Sequence, residues 1–150
     1  MENHDVLIRP LDAATDIETL SGIWLEASLK AHPFIGEPRL REQRALIEDE
    51  YMPKAETFVA LCEGEPAGFI SLLGTFVGAI FIAPAQQGRG IGRKLIAHAL
   101  SLKGELSLEV YTANDGAVRF YRALGFTEAS RRDVDDFGYP FPNALLKLKA

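Results

Sequence analysis

Residues 77–103 constrain the fold of this chain more than any other stretch. An apolar run suited to a β-strand (Val77, then 79–82) breaks at Pro84, and a loop follows with glycine at 88, 90 and 92. Apolar residues then recur at Ile91, Leu95, Ile96, Ala99 and Leu102, the spacing of one helix face. Glycine lets backbone N–H groups turn inward without a side-chain clash, and a helix start adds unpaired donors and the positive end of its dipole. Strand, glycine loop and helix in that order form an anion cradle, most often for a diphosphate. A nucleotide-bearing ligand is the expectation.

Spacing narrows the kind of nucleotide. Neither Gly88 nor Gly90 begins the Gly-x-x-x-x-Gly-Lys-Ser/Thr of a P-loop. The dinucleotide pattern Gly-x-Gly-x-x-Gly would place its third glycine on Arg93 or Leu95, depending on the starting residue. Glu109 does lie at about the distance expected of a ribose-binding acid, so a dinucleotide reading stays open as a minor alternative.

A different pattern fits at every position. Gln87-Gly88-Arg89-Gly90-Ile91-Gly92 matches Gln/Arg-x-x-Gly-x-Gly/Ala, and resembles the acetyl-coenzyme A pyrophosphate signature of the GNAT superfamily of N-acetyltransferases. Residues 108–126 resemble that superfamily's second signature, with Asn114, Ala117, Phe120-Tyr121 and Leu124-Gly125-Phe126 in the matching places. One helix and one strand separate the two, as in the superfamily. His32-Pro33-Phe34-Ile35, and Val134-Asp135-Asp136 with Gly138, Pro140 and Pro142, resemble a subgroup of small bacterial members associated with peptidyl-lysine acetylation. The likeness spans essentially the whole chain.

Composition agrees with such a protein. At 150 residues the chain fits one domain, 1–150, able to bury roughly two thirds of its unfolded surface. Hydrophobic content of 47% beside 25% charged residues is that of a soluble globular protein, and no apolar run reaches the ~18 residues of a membrane span. The start, Met1-Glu2-Asn3-His4-Asp5, is polar and acidic, unlike a signal peptide. The single cysteine, Cys62, lies in an apolar run and is expected in the core, which suits a reducing cytoplasm. A net charge of −5 argues against nucleic acid and suits either a cationic acceptor such as an amine or plain solubility. Local basic pairs stand at Arg93-Lys94 and Arg131-Arg132. Neither a membrane partner nor a metal is expected, and monomer and homodimer both remain open.

Periodicity predicts a strand over 6–9, then a helix opened by a Thr15-x-x-Glu18 capping box and carrying Ile17, Leu20, Ile23, Trp24 and Ala27. A second helix should run from about Pro38, with Leu40, Ile47 and Tyr51 on one face, and stop at Pro53. Strands over 57–63 and 67–73 flank a turn at Gly64-Glu65-Pro66, and a turn at Gly74 leads into the strand ending at Ile82. After the glycine loop and its helix come a strand over 106–111 and a short helix over 116–124 closed by Gly125. Strands over 127–133 and 145–148 complete the chain. The order β-α-α-β-β-β-α-β-α-β-β implies an α/β mixed fold. Its resemblance to the GNAT arrangement implies one mostly antiparallel sheet of about seven strands with four helices, whose two central parallel strands splay to admit the cofactor.

Acetyl transfer to an amine needs a deprotonated nucleophile, a donor for the developing oxyanion and a proton for the leaving thiolate. The resemblance implies that Gln87, Gly88, Arg89, Gly90, Ile91, Gly92 and Arg93 hold the diphosphate, and that backbone at Ile80, Phe81 and Ile82 meets the pantetheine arm and the oxyanion. By the same likeness Tyr121 protonates the thiolate and Asn114 contacts the cofactor. On residue type alone, Arg89 and Arg93 could be solvated, Tyr121 part of a core stripe and Asn114 a helix cap. For the general base the candidates are Glu109, polar within an apolar strand, and His32, near the acceptor side in superfamily members. Both also suit non-catalytic surface positions. Phe76 occupies a place where some subgroup members carry a polar side chain. Trp24, Phe34, Phe76, Tyr139 and Phe141 could wall an acceptor pocket or serve as core, and Asp133, Asp135 and Asp136 could attract an ammonium or simply form a solvated turn. The leading expectation is direct acetyl transfer from acetyl-CoA to a protein lysine or N-terminal amine. A small-amine acetyltransferase and a non-catalytic CoA sensor are the alternatives.

Overall fold

The computed structural model describes residues 6–135 and 138–150, and the side chains of all of these but Tyr51. Seven strands, β1 (Val6–Pro10), β2 (Glu56–Cys62), β3 (Glu65–Leu73), β4 (Phe76–Ile82), β5 (Glu105–Tyr111), β6 (Thr127–Arg132) and β7 (Asn143–Lys149), form one sheet in the order β1-β2-β3-β4-β5-β7-β6. Neighbours are antiparallel except β4 and β5, which run parallel. The helices are α1 (Ile17–Ala31), α2 (Glu37–Leu46), α3 (Met52–Lys54), α4 (Ile91–Lys103) and α5 (Asp115–Ala123). A π-helical turn, Ile47–Tyr51, joins α2 to α3 in one rod, leaving four helical bodies among the described residues. The mixed, mostly antiparallel architecture expected from the sequence is the one found. No helix among the described residues is long and apolar enough to cross a membrane.

Each sheet face carries its own core. On one side Ile91, Leu95, Ile96 and Ala99 of α4 and Tyr121 of α5 pack with Ile70, Leu106, Leu108 and Leu146. On the other, Leu20, Ile23 and Trp24 of α1 and Leu40 of α2 pack with Val59, Phe69 and Ala79. Cys62 is 2% exposed within the first core.

Three local expectations are corrected. The Thr15 capping box does not form: Asp16 is the N-cap, and its carboxylate instead accepts from Arg9 at 2.7 and 3.1 Å and from the Asp12 N–H at 2.8 Å. The bidentate charged donor and the Asp12 amide together turn that carboxylate away from the first turn of α1. The second helix does not stop at Pro53 but runs to Lys54. Proline has no N–H and its ring crowds the carbonyl four residues back, and the wider π turn before it accommodates both. The β2–β3 turn is centred on Glu63 and Gly64, with φ of 54° and 82°, because Cys62 pairs with Glu65 and Pro66 already lies in β3. Two positive φ angles give the turn a twist that matches the flanking strands.

The decisive irregularity is in β4. Ser71 pairs with Ala79 but Leu72 with Val77, so Gly78 is an extra residue. A bulge reverses which face alternate side chains reach, and Val77 accordingly joins the α4 core while Ala79 joins the α1 core. Pairing with β5 ends just before it, at Phe76 with Ser107 and Val77 with Leu108. From Gly78 onward the two parallel strands separate.

Candidate active site

The separation opens into a cleft of about 700 Å³ that passes from the α1–α2 side of the sheet to the glycine loop and α5. Beyond Val77 the β4 edge that faces β5 has no strand partner among the described residues, while its other edge stays paired to β3 through Ile80, Phe81 and Ile82. Backbone amides on the free edge are therefore available to a ligand. Ile80, Phe81 and Ile82 all line the cleft.

At one end, Gly88 and Gly90 adopt φ of 85° and 79°, and a Cβ built on Gly90 would meet nothing within 4 Å. Gly90 is the N-cap of α4 and Ile91 its first, fully buried residue, so the helix is anchored with its free N–H groups facing the cleft. Gly92 lies under Phe120, whose Cζ would be 3.1 Å from an added Cβ. Gln87, Gly88, Gly90, Ile91, Gly92 and Arg93 line the cleft; Arg89 is exposed and does not. The Gln87 side chain is held at both ends, accepting from Lys30 Nζ at 3.0 Å and donating to the Ile82 carbonyl at 3.2 Å.

Tyr121, from α5, is 9% exposed and lines the cleft between Phe120 and Phe126. Its hydroxyl has no hydrogen-bond partner among the described residues, and burial pushes its pKa up from the usual phenol value. Asn114 does cap α5: its Oδ1 accepts from the Ala117 N–H at 3.1 Å. That fixes the other end of the amide, so Nδ2 donates to His32 Nε2 at 3.1 Å. The imidazole must then carry its proton on Nδ1. Its ring is enclosed by Phe34 and Tyr111, at centroid distances of 5.7 and 5.0 Å, and burial pushes its pKa down to about 4.

Glu109 projects from β5 on the face opposite Leu108 and Val110, into the cleft. Arg132 Nη2 donates to its Oε2 at 2.7 Å, and the same guanidinium donates to Asn143 Oδ1 at 3.2 and 3.3 Å. Nearby, Asp135 is buried and accepts from Tyr111 Oη at 2.8 Å and the Tyr139 N–H at 3.0 Å. It ties the β6–β7 loop to β5. Asp133 is exposed, and Asp136 lies outside the described residues.

On the α1–α2 side, Trp24 and Phe76 line the cleft, Trp24 meeting Phe81 edge-on at 6.1 Å. Phe34 does not line it; it stands behind His32, packed on Tyr111 and Phe141. Tyr139 and Phe141 form an outer aromatic layer under Arg39, whose guanidinium sits 4.4 Å from the Tyr139 ring centre. Ser28 and Gln43 line the same wall, and Ser28 Oγ and Gln43 Nε2 are buried without a hydrogen-bond partner among the described residues. Sequence reasoning did not single out Ser28, Lys30, Gln43 or, as a site residue, Arg132. Ser28, Lys30 and Gln43 come from helices remote in sequence from both motifs and Arg132 from the strand that follows the second, and only the fold brings them to the cleft. No cluster of potential metal ligands occurs among the described residues.

Residues 53–128 match the acetyltransferase (GNAT) domain family, and the chain belongs to the GNAT acetyltransferases. Peptidyl-lysine N-acetyltransferase YjaB of Salmonella typhimurium is 39% identical over 132 residues, covering 87% of this chain and 89% of that protein. The solution structure of apo YjaB from Escherichia coli superposes with a TM-score of 0.87 at 35% identity, over 97% of this chain and 99% of that one. PaiA N-acetyltransferase of Thermoplasma acidophilum, solved in complex with coenzyme A, shares the fold with a TM-score of 0.78 at 18% identity, over 97% of this chain and 99% of that one.

Proposed function

We propose that this acetyltransferase moves the acetyl group of acetyl-CoA directly to a primary amine on a peptide, a lysine ε-amine first and an N-terminal amine second. The carrying observation is the β4–β5 separation, which joins a diphosphate-type glycine loop to a wall bearing Tyr121, Asn114 and Glu109. The residues present fit acetyl-CoA: Gly88 and Gly90 hold the loop open, nothing stands where a Cβ at Gly90 would point, and Arg93 adds a cation. The names of the YjaB relatives support peptidyl lysine as the acceptor.

Acetyl-CoA supplies an acyl group activated as a thioester. The free β4 edge at Gly78–Ile82 holds the pantetheine arm, and an N–H there donates to the carbonyl oxygen as it gains charge. Tyr121 keeps its proton at neutral pH because burial disfavours the phenolate, and gives that proton to sulfur as the C–S bond breaks. Glu109 takes the proton shed by the amine as the C–N bond forms, directly or through water. His32 does not suit that task, because its Nε2 lone pair is engaged by Asn114 and its other ring nitrogen carries the proton. It positions Asn114 and walls the acceptor side instead. Trp24 and Phe76 flank the acceptor's methylene stem, and the unpartnered Ser28 and Gln43 groups sit beside them to meet polar atoms of the acceptor.

The test is acetylation of lysine peptides with blocked N-termini, with products located by mass spectrometry. Acetyl on the ε-amine is the expected result. Peptides left unmodified while small polyamines or amino sugars are acetylated would overturn the acceptor assignment.

A further inference from the structure

We infer that Lys30 is a phosphate ligand for the acyl donor, closing from α1 the diphosphate site that the glycine loop forms from α4. The inference rests on the acetyl-CoA reading above and names a residue outside both sequence motifs.

Lys30 is an exposed residue in the last turn of α1, 57 positions before the loop residue it touches. Its Nζ donates to Gln87 Oε1 at 3.0 Å, and Gln87 itself donates to the Ile82 carbonyl, so the ammonium stands at the mouth of the loop. It lines the same cleft as Gly88, Gly90 and Arg93. An ammonium carries three donors, and Gln87 uses one. Lys54 and Lys103 each pair with a glutamate, at 2.9 and 2.7 Å, whereas Lys30 has no acidic partner among the described residues. A cation fixed beside backbone donors and left without a counter-charge is complementary to a dianionic group. The chain as a whole carries −5, so a local cation also offsets the repulsion a polyphosphate meets on approach.

A lysine in the last turn of a helix also complements the helix dipole. That role would be indifferent to the ligand's phosphates, which separates the two explanations. The experiment measures acetyl-CoA binding by calorimetry for wild type, Lys30→Met and Lys30→Arg between about 50 and 300 mM salt. It is paired with kcat/KM for acetyl-CoA and for S-acetylpantetheine, a donor without phosphates. The expected result is a Kd raised about 5- to 20-fold in Lys30→Met with a shallower salt dependence, both restored by Lys30→Arg. The ratio of kcat/KM for acetyl-CoA over S-acetylpantetheine should fall by the same factor. An unchanged Kd and salt dependence, or an equal loss with both donors, would overturn the role of Lys30 alone. Absence of acetyl-CoA binding by the wild type would instead overturn the donor assignment, and this inference with it.

Discussion

Tyr121 and His32 face one cleft, and burial acts on them in opposite electrostatic senses: it keeps the phenol protonated and the imidazole neutral. Both are thereby uncharged in the cleft proposed to take an ammonium substrate, which must lose its charge to react. Tyr121→Phe removes the proposed proton source without changing the wall, so kcat should fall about 100-fold or more while the Kd for acetyl-CoA stays within about 2-fold. Single-turnover kinetics beside calorimetry checks this, and an unchanged kcat removes Tyr121 from the chemistry. His32 has a different signature. Between pH of about 6.5 and about 4 the unfolded chain binds a proton at this residue that the native chain does not, so stability falls as the pH drops through that window. The full loss is on the order of 3 kcal/mol, and His32→Gln should flatten that part of the stability curve in urea titrations. An undiminished slope in the variant would show that another group is responsible.

At the scale of elements, the glycine loop and the β4 bulge divide the labour of making the site. Gly90 sits at φ of 79°, where other residues are strained by about 1–2 kcal/mol, and its Cβ direction points into open cleft. Gly90→Val should therefore lower stability by that amount and weaken acetyl-CoA binding at least about 10-fold, read by thermal melts and calorimetry. Retained binding would mean the backbone at Gly90 does not approach the ligand. The loop was plain in the sequence because its signal is local: three glycines at fixed spacing between an apolar run and a helical stripe. The strand and helix order was legible for the same reason. The bulge was not, since a single Gly78 inside an apolar strand does not announce that pairing will end there, although a strand glycine is a known sign of one. The π turn was hidden because proline normally ends a helix, and the Asp16–Arg9 pair because neither residue's partner is set by local spacing. Lys30, Ser28, Gln43 and Arg132 were out of reach for a related reason: each meets the site only through the packing of remote elements.

Across the whole molecule, β4 and β5 are paired at two positions while β5 and β7 are paired at seven, so the sheet is weakest along the line that becomes the cleft. The two cores on opposite faces hold the halves in place and leave that line open. A ligand lying there would stand in for the missing ladder, and its binding should raise the melting temperature with the logarithm of its concentration above Kd. The roles proposed for Tyr121, Asn114, Glu109 and Lys30 all require that acetyl-CoA fills the gap. Calorimetric titration of the purified protein with acetyl-CoA, with NADH in parallel, tests that dependence most directly. Saturable one-to-one binding of acetyl-CoA in the micromolar range, with no heat from NADH, is the predicted result. Binding of NADH without acetyl-CoA, or of neither, would contradict it.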